Sequence, residues 1–307
     1  MEIRTGTAPV TDDLTLYYEE MGDPSAPPVL LIMGLGAQLL LWRNGFCEHL
    51  VNRGYRVIRY DNRDVGLSGK LDGQWAAGGL PKKIVRSYLG RSSPSGYRLE
   101  DMADDAAALL NHLEIDRAHI VGASMGGMIA QIFAASHQSR TAALGIIFSS
   151  NNSAFLPPPA PKALLSLVRG PGPDASREAV IDNIIRVGKI IESPASPGTG
   201  EKGRADPPES YERAYYPQGA ARHFGAVLGS GSLKRYNRQI TAPTVVIHGL
   251  ADKLMRPAGG RAIARSIPNA RLVLFDGLAH DLPEALWGDI VGELHTTFAE
   301  SSFTRTE

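Results

Sequence analysis

One cysteine, Cys47, is all that 307 residues contain, so no internal disulfide can brace the fold. That scarcity fits a reducing compartment, and the cytoplasm is the expected location. No histidine-rich pattern surrounds Cys47, which reads as a small buried hydrophobe rather than a reactive thiol. An excess of one charge is also missing, because Lys plus Arg and Asp plus Glu both total 32. The balance leaves no field for nucleic acid or an anionic membrane, and no basic tract appears. Long hydrophobic runs are absent too. Residues 29–33 and 39–42 fall far short of the roughly 20 apolar residues that span a bilayer. Residues 1–13 carry acids and no apolar h-region, so no signal peptide is expected. The eight histidines form no H-x-x-x-H, H-E-x-x-H or Cys/His cluster, and no metal site is expected.

What is present is a regular alternation. Apolar residues make up 43% of the chain, enough for a sizeable core. Strand-like runs at 14–20, 29–33, 56–60, 118–121 and 143–148 alternate with helical patterns at 46–53, 99–113 and 128–136. The run 29–33 is uniformly apolar, as a strand buried on both faces must be. After a proline- and glycine-rich stretch the pattern resumes with strands at 244–248 and 271–275, and helices at 258–266 and 283–298. This order predicts an α/β fold with a mostly parallel sheet and helices on both faces. Composition changes at Ser149. Residues 1–150 and 237–307 read as the core, and 151–236 as an inserted, partly irregular cap. Within it 178–191 is the one convincing helix of the early part, 211–216 is an aromatic cluster, and 193–208 is expected to be a mobile loop.

The segment Gly122-Ala123-Ser124-Met125-Gly126 follows the run 118–121 and leads into the helix at 128–136. A tight strand-to-helix turn would push the serine side chain out of the sheet edge, and the flanking glycines relieve the crowding. No lysine follows the glycines, so a phosphate-binding P-loop is disfavoured. A serine hydroxyl becomes a nucleophile only when a base takes its proton, and that base needs an acid behind it. His280, after the strand 271–275, and Asp252, after the strand 244–248, lie on loops where such groups belong. Ser124, Asp252 and His280 thus follow the chain order of an α/β-hydrolase triad. His248 lies inside a strand, His223 lies in the cap where a lid contact is open to it, and Asp276 and Asp281 are too close to His280 in sequence. Ser149, Ser150, Asn151 and Asn152 offer no carboxylate after the strand 143–148. The oxyanion donors are expected to be the backbone N–H groups of Met125 and Leu35, the latter in the turn Gly34-Leu35-Gly36.

These residues resemble the α/β-hydrolase superfamily, and within it the bacterial serine esterase branch that includes aclacinomycin methylesterase. The likeness is carried by Leu31-Ile32-Met33-Gly34, by residues 58–68 (IRYDNRDVGLS), by 116–127 (DRAHIVGASMGG) and by 248–252 (HGLAD). It covers about 14–150 and 240–300, and the cap matches poorly. Where many relatives have His-Gly this chain has Met33-Gly34, so its oxyanion loop must be held differently. The resemblance implies a hydrolase that uses serine, with carboxylic ester cleavage through an acyl-enzyme as the leading chemistry, a small-molecule ester as substrate and no cofactor. Amide, lactone or C–C bond hydrolysis, cofactor-free perhydrolysis, and a non-catalytic binding role stay open, as does homo-oligomerisation. Asp61, Arg63 and Ser68 read as a turn stabilised by its own polar contacts. Trp42, Phe155, Tyr215 and Phe224 are expected to line a pocket between core and cap.

Overall fold

A computed structural model describes residues 1–73, 78–168, 170–172, 175–194 and 207–301. Its strands are β1 (Ile3–Thr11), β2 (Leu14–Met21), β3 (Pro28–Ile32), β4 (Arg56–Tyr60), β5 (Ala118–Ala123), β6 (Thr141–Ile147), β7 (Thr244–Gly249) and β8 (Arg271–Phe275). They form one sheet in the order β1-β2-β4-β3-β5-β6-β7-β8. The pairs β1–β2 and β2–β4 are antiparallel, and every later pair is parallel. The fold is that of an α/β hydrolase.

Successive side chains of a strand point to opposite faces, and the inner strands bury both. Leu30 and Ile32 of β3 belong to one apolar cluster, with Met128, Ile129 and Phe133. Val29 and Leu31 belong to the other, with Trp42, Phe46, Ile290 and Leu294. The helices supplying these clusters include α1 (Asn44–Val51), α3 (Leu99–His112) and α4 (Met125–Ser136), while α2 (Leu80–Tyr88) buries no side chain. Within residues 151–236 lie α5 (Pro161–Val168), α6 (Arg177–Ile191), α7 (Pro207–Arg213) and α8 (Pro217–Ser230), with the short α9 (Lys234–Asn237) at its end. The helices α10 (Pro257–Ser266) and α11 (Trp287–Ala299) complete the α-helices among the described residues.

The described part of the 151–236 region is therefore more helical than its composition suggested. Pro161, Pro207 and Pro217 each open a helix instead of breaking one. Proline is tolerated there because a first-turn N–H has no intrahelical acceptor to lose. The 193–208 loop falls mostly outside the described residues, since 195–206 are not among them. Strand β1 and helix α2 carried no clear signal in the sequence.

The strand order also fixes where a site can form. From β3 the chain passes to β4 on one side, and β5 pairs β3 on the other. A crevice at the carboxyl ends of strands forms where the winding reverses in this way. The loops after β3 and β5, which carry Gly34-Leu35-Gly36 and Ser124, are thereby made neighbours.

Candidate active site

Ser124 stands between β5 and α4 with φ 57° and ψ −120°. A positive φ costs a non-glycine residue about 1–3 kcal/mol and persists only where the surroundings impose it. Here close packing of the turn imposes it. A Cβ on Gly122 would sit 2.1 Å from the Gly126 carbonyl oxygen, and one on Gly126 would sit 2.0 Å from that of Ile32. Neither position admits a side chain, so the two glycines let strand, turn and helix touch. The Ser124 N–H donates to the Ile147 carbonyl at 3.0 Å, and the Ser149 hydroxyl donates to the Ser124 carbonyl at 2.7 Å.

The structure brings the three polar side chains singled out in the sequence into one line. His280 Nε2 lies 2.9 Å from Ser124 Oγ, and His280 Nδ1 lies 2.8 Å from Asp252 Oδ2. With a carboxylate facing Nδ1, the ring proton sits there and the Nε2 lone pair faces the serine hydroxyl. Asp252 is nearly inaccessible, and its Oδ1 accepts the N–H groups of Leu254 and Met255, each at 2.8 Å. Burial alone would push its carboxyl up. The neighbouring His280 and His248 rings outweigh burial, and hold it well below the usual carboxylate range. The Phe148 ring, 4.7 Å from the imidazole centre, flanks His280.

Of the residues set aside as rivals, His248 packs behind Asp252, with its Nε2 3.6 Å from Oδ2. His248 is fully buried, and its Nε2–H donates to the Met255 carbonyl at 2.5 Å. Asp281 accepts the Ser193 hydroxyl and Asp276 is exposed. Two contacts to the His280 loop had no sequence signal. The His280 N–H donates to the Ile191 carbonyl at 3.1 Å, and the Ala279 N–H to Ser193 Oγ at 2.8 Å. Both partners lie at or just past the end of α6.

Met125 opens α4, so its N–H is one of four that a helix leaves without an internal acceptor. The loop after β3 abuts it. A Cβ on Gly34 would come within 3.1 Å of Ser124 Cβ and 3.6 Å of its Oγ. Leu35 is thus held beside the serine, with Asn62 Nδ2 donating to the Met33 carbonyl at 2.9 Å and the Gly36 N–H donating to His223 Nδ1 at 3.1 Å.

The turn at 61–68 is stabilised by its own contacts, as expected, and also by contacts that reach further. The Ser68 hydroxyl donates to the Asp61 carbonyl at 2.5 Å, and the Leu67 N–H to Asp61 Oδ2 at 2.9 Å. Asp61 in addition pairs with Arg213 at 2.7 Å, and Asp64 with Arg222 at 2.7 Å, both arginines lying within residues 151–236. Of the residues expected to line a pocket, Trp42 is fully buried against Phe46 and lines no open cleft. Its indole packs in the apolar cluster beneath the sheet, because a run rich in leucine and tryptophan is better buried there than exposed. Phe155 is exposed and meets Tyr88, Tyr215 stacks on Tyr211, and Phe224 is half-buried.

Residues 27–182 match the family described by the alpha/beta hydrolase fold. The chain belongs to that family and is a hydrolase. It is 26% identical over 304 residues to rhodomycin D methylesterase DnrP of Streptomyces peucetius, an alignment covering 90% of this chain and 92% of the relative. A 2-hydroxy-6-oxononadienedioate/2-hydroxy-6-oxononatrienedioate hydrolase of Paraburkholderia xenovorans is 27% identical over 276 residues, covering 87% of this chain and 85% of the relative. Among solved structures, the esterase RhEst1 from Rhodococcus sp. ECU1013 superposes with a TM-score of 0.72 at 18% identity, covering 98% of this chain and 100% of that one. That likeness concerns the fold alone. No helix among the described residues is long and apolar enough to cross a membrane.

Proposed function

We propose that the protein is a serine hydrolase that cleaves carboxylic esters through an acyl-enzyme, with Ser124, Asp252 and His280 as its catalytic triad. The single observation that carries this reading is His280 standing within hydrogen-bond reach of both Ser124 and Asp252. His280 Nε2 takes the proton as Ser124 Oγ attacks the ester carbonyl, and buried Asp252 stabilises the resulting imidazolium. The N–H groups of Leu35 and Met125 hold the oxyanion. His280 then protonates the departing alcohol, leaving the acyl group on Ser124. Water, deprotonated by His280, releases the carboxylic acid and restores the serine. No step calls for a metal or a dissociable cofactor.

Ester cleavage is taken as the leading chemistry, with two rhodomycin D methylesterase relatives each aligned along 90% of the chain. C–C bond cleavage is the second reading, with the 2-hydroxy-6-oxononadienedioate/2-hydroxy-6-oxononatrienedioate hydrolase aligned along 87%. Methyl esters are accordingly the first substrates to offer. Residues 1–150 and 237–307 act as the catalytic core and 151–236 as its cap. The contacts from α6 and α8 to the loops of His280 and Leu35 support that division. We place the enzyme in the cytoplasm, on the ground of its single buried cysteine.

The test is turnover of p-nitrophenyl and methyl esters by the wild type and by Ser124→Ala, together with labelling by a fluorophosphonate. The wild type should turn over and acquire one covalent adduct on Ser124, and the variant should do neither. Activity retained by Ser124→Ala would refute the assignment. A wild type inert to the fluorophosphonate would favour a hydrolase-like binding protein.

A further inference from the structure

The loop after β3 has to present one backbone N–H to the oxyanion while containing two glycines, and glycine supplies no stiffness of its own. The side chain of Met33 has no hydrogen to donate. What holds the loop is therefore outside it. On the core side, Asn62 grips the Met33 carbonyl. On the other side His223, from α8 in the inserted region, accepts the Gly36 N–H through Nδ1 at 3.1 Å. The opposite ring nitrogen, Nε2, donates to the Arg63 carbonyl at 2.7 Å. This pair of bonds fixes the neutral ring in one tautomer, with an acceptor facing the loop.

His223 is fully buried, and the helix that carries it is firmly seated. Its neighbour Arg222 places both Nε and a terminal nitrogen on the Asp64 carboxylate, at 2.8 and 2.7 Å. The Tyr97 hydroxyl donates to the same carboxylate at 2.8 Å, and the Tyr97 ring meets His223 edge-on. A Cβ on Gly219 would lie 2.0 Å from the Asp64 carbonyl oxygen, so α8 rests directly on the core backbone. Further along the loop, the Leu39 N–H donates to Asp61, and Gln38 donates to the Ser210 and Ala214 carbonyls. The loop is thus pinned at Met33, Gly36, Gln38 and Leu39, leaving Leu35 between two anchors.

We infer that His223 is a positioning residue for ester hydrolysis: it holds Gly36 so that the Leu35 N–H is aimed at the oxyanion, and makes catalysis depend on the docking of α8. The inference rests on the ester-hydrolase reading above. His223 touches neither substrate nor the reacting atoms. Its effect is confined to an N–H that matters most when negative charge develops, so it should appear in kcat rather than in KM.

Two substitutions separate the two ring nitrogens. His223→Asn sets Oδ1 near the place of Nδ1 and keeps an acceptor for Gly36, while giving up the Arg63 contact. His223→Gln reaches the Arg63 carbonyl with its amide nitrogen and leaves Gly36 without a partner. Both are assayed with p-nitrophenyl butyrate and with a trifluoromethyl ketone that mimics the tetrahedral intermediate. Rates are expressed per Ser124 titrated to completion with a fluorophosphonate, so a partly unfolded preparation still reports. Outright loss of an oxyanion donor costs about a hundred- to a thousandfold, so a loosened one should cost roughly ten- to a hundredfold. His223→Gln should lose that much kcat and the same factor in ketone affinity, with KM changed less than about twofold, and His223→Asn should recover most of it. Equal rates for His223→Gln and wild type, a loss confined to KM, or a better rate for Gln than for Asn would overturn the inference. If the wild type itself neither turns over nor labels, it is the ester-hydrolase reading that fails.

Discussion

Arg222 spans the gap between α8 and the 61–68 turn to meet Asp64 with two parallel hydrogen bonds, and both side chains are almost wholly buried. Bidentate geometry of this kind fixes orientation as well as distance. Burial pushes the Asp64 carboxyl up, but Arg222, the Leu71 N–H and Tyr97 bring it below its ordinary value, so the group is a carboxylate at neutral pH.

Removing one partner of such a pair leaves an uncompensated buried charge. Arg222→Leu is expected to destabilise the protein by about 3–5 kcal/mol, measured by urea unfolding. The double variant Asp64→Asn with Arg222→Leu should be less destabilised than that single one, because no bare carboxylate remains. If Arg222→Leu unfolds within about 1 kcal/mol of the wild type, the pair does not anchor α8.

Asp252→Asn tests the acid of the proposed triad. The amide oxygen can still accept the Leu254 and Met255 N–H groups, which now converge on Oδ1, so the loop should keep its shape. Nδ1 of His280 would then face an amide and not a carboxylate, which favours the wrong tautomer and leaves the imidazolium unsupported. Ester turnover is expected to fall about ten-thousandfold with little change in thermal stability. A drop of less than about tenfold would mean that another carboxylate serves His280.

Much of this site could be read in the chain, because its parts are local. Ser124 is framed by glycines whose close contacts any sequence of that form must satisfy, and Asp252 and His280 each follow directly on a β-branched or apolar strand. Chain order then joins them. The contacts between distant segments carried no such signal. Nothing near Ser193 indicates that it grips the loop of Ala279 and His280, and although a lid contact was open to His223, nothing in the sequence pointed to Gly36 as its partner. The pairing of Asp61 and Asp64 with arginines more than 150 residues away was hidden for the same reason, and the turn read as self-contained. Prolines misled in the opposite direction. Their number argued for irregular chain, whereas three of them open helices.

Two buried histidines make stability depend on pH in a definite direction. Burial, and secondarily Arg117, lowers the His119 ring to about 3, and its ring stacks on Phe298 at 4.1 Å. Burial lowers His223 to about 4, opposed by its bond to the Arg63 carbonyl and by Asp64, and helped by the Arg63 and Arg222 charges. Both rings are therefore neutral in the folded protein, while in the unfolded chain they take a proton below about 6.5. A lowered folded-state value means that the contribution is fully present above about pH 6.5 and shrinks as pH falls toward 4 for His223 and 3 for His119. Between pH 7 and 5, where most carboxylates stay ionised, each ring should remove on the order of 2 kcal/mol of unfolding free energy. Urea midpoints measured across that window should decline for the wild type. His119→Phe keeps a ring against Phe298 but cannot titrate, so its midpoint should decline about half as steeply. An identical slope for wild type and variant would show that His119 does not titrate on unfolding, and that the stacked ring is already protonated or exposed.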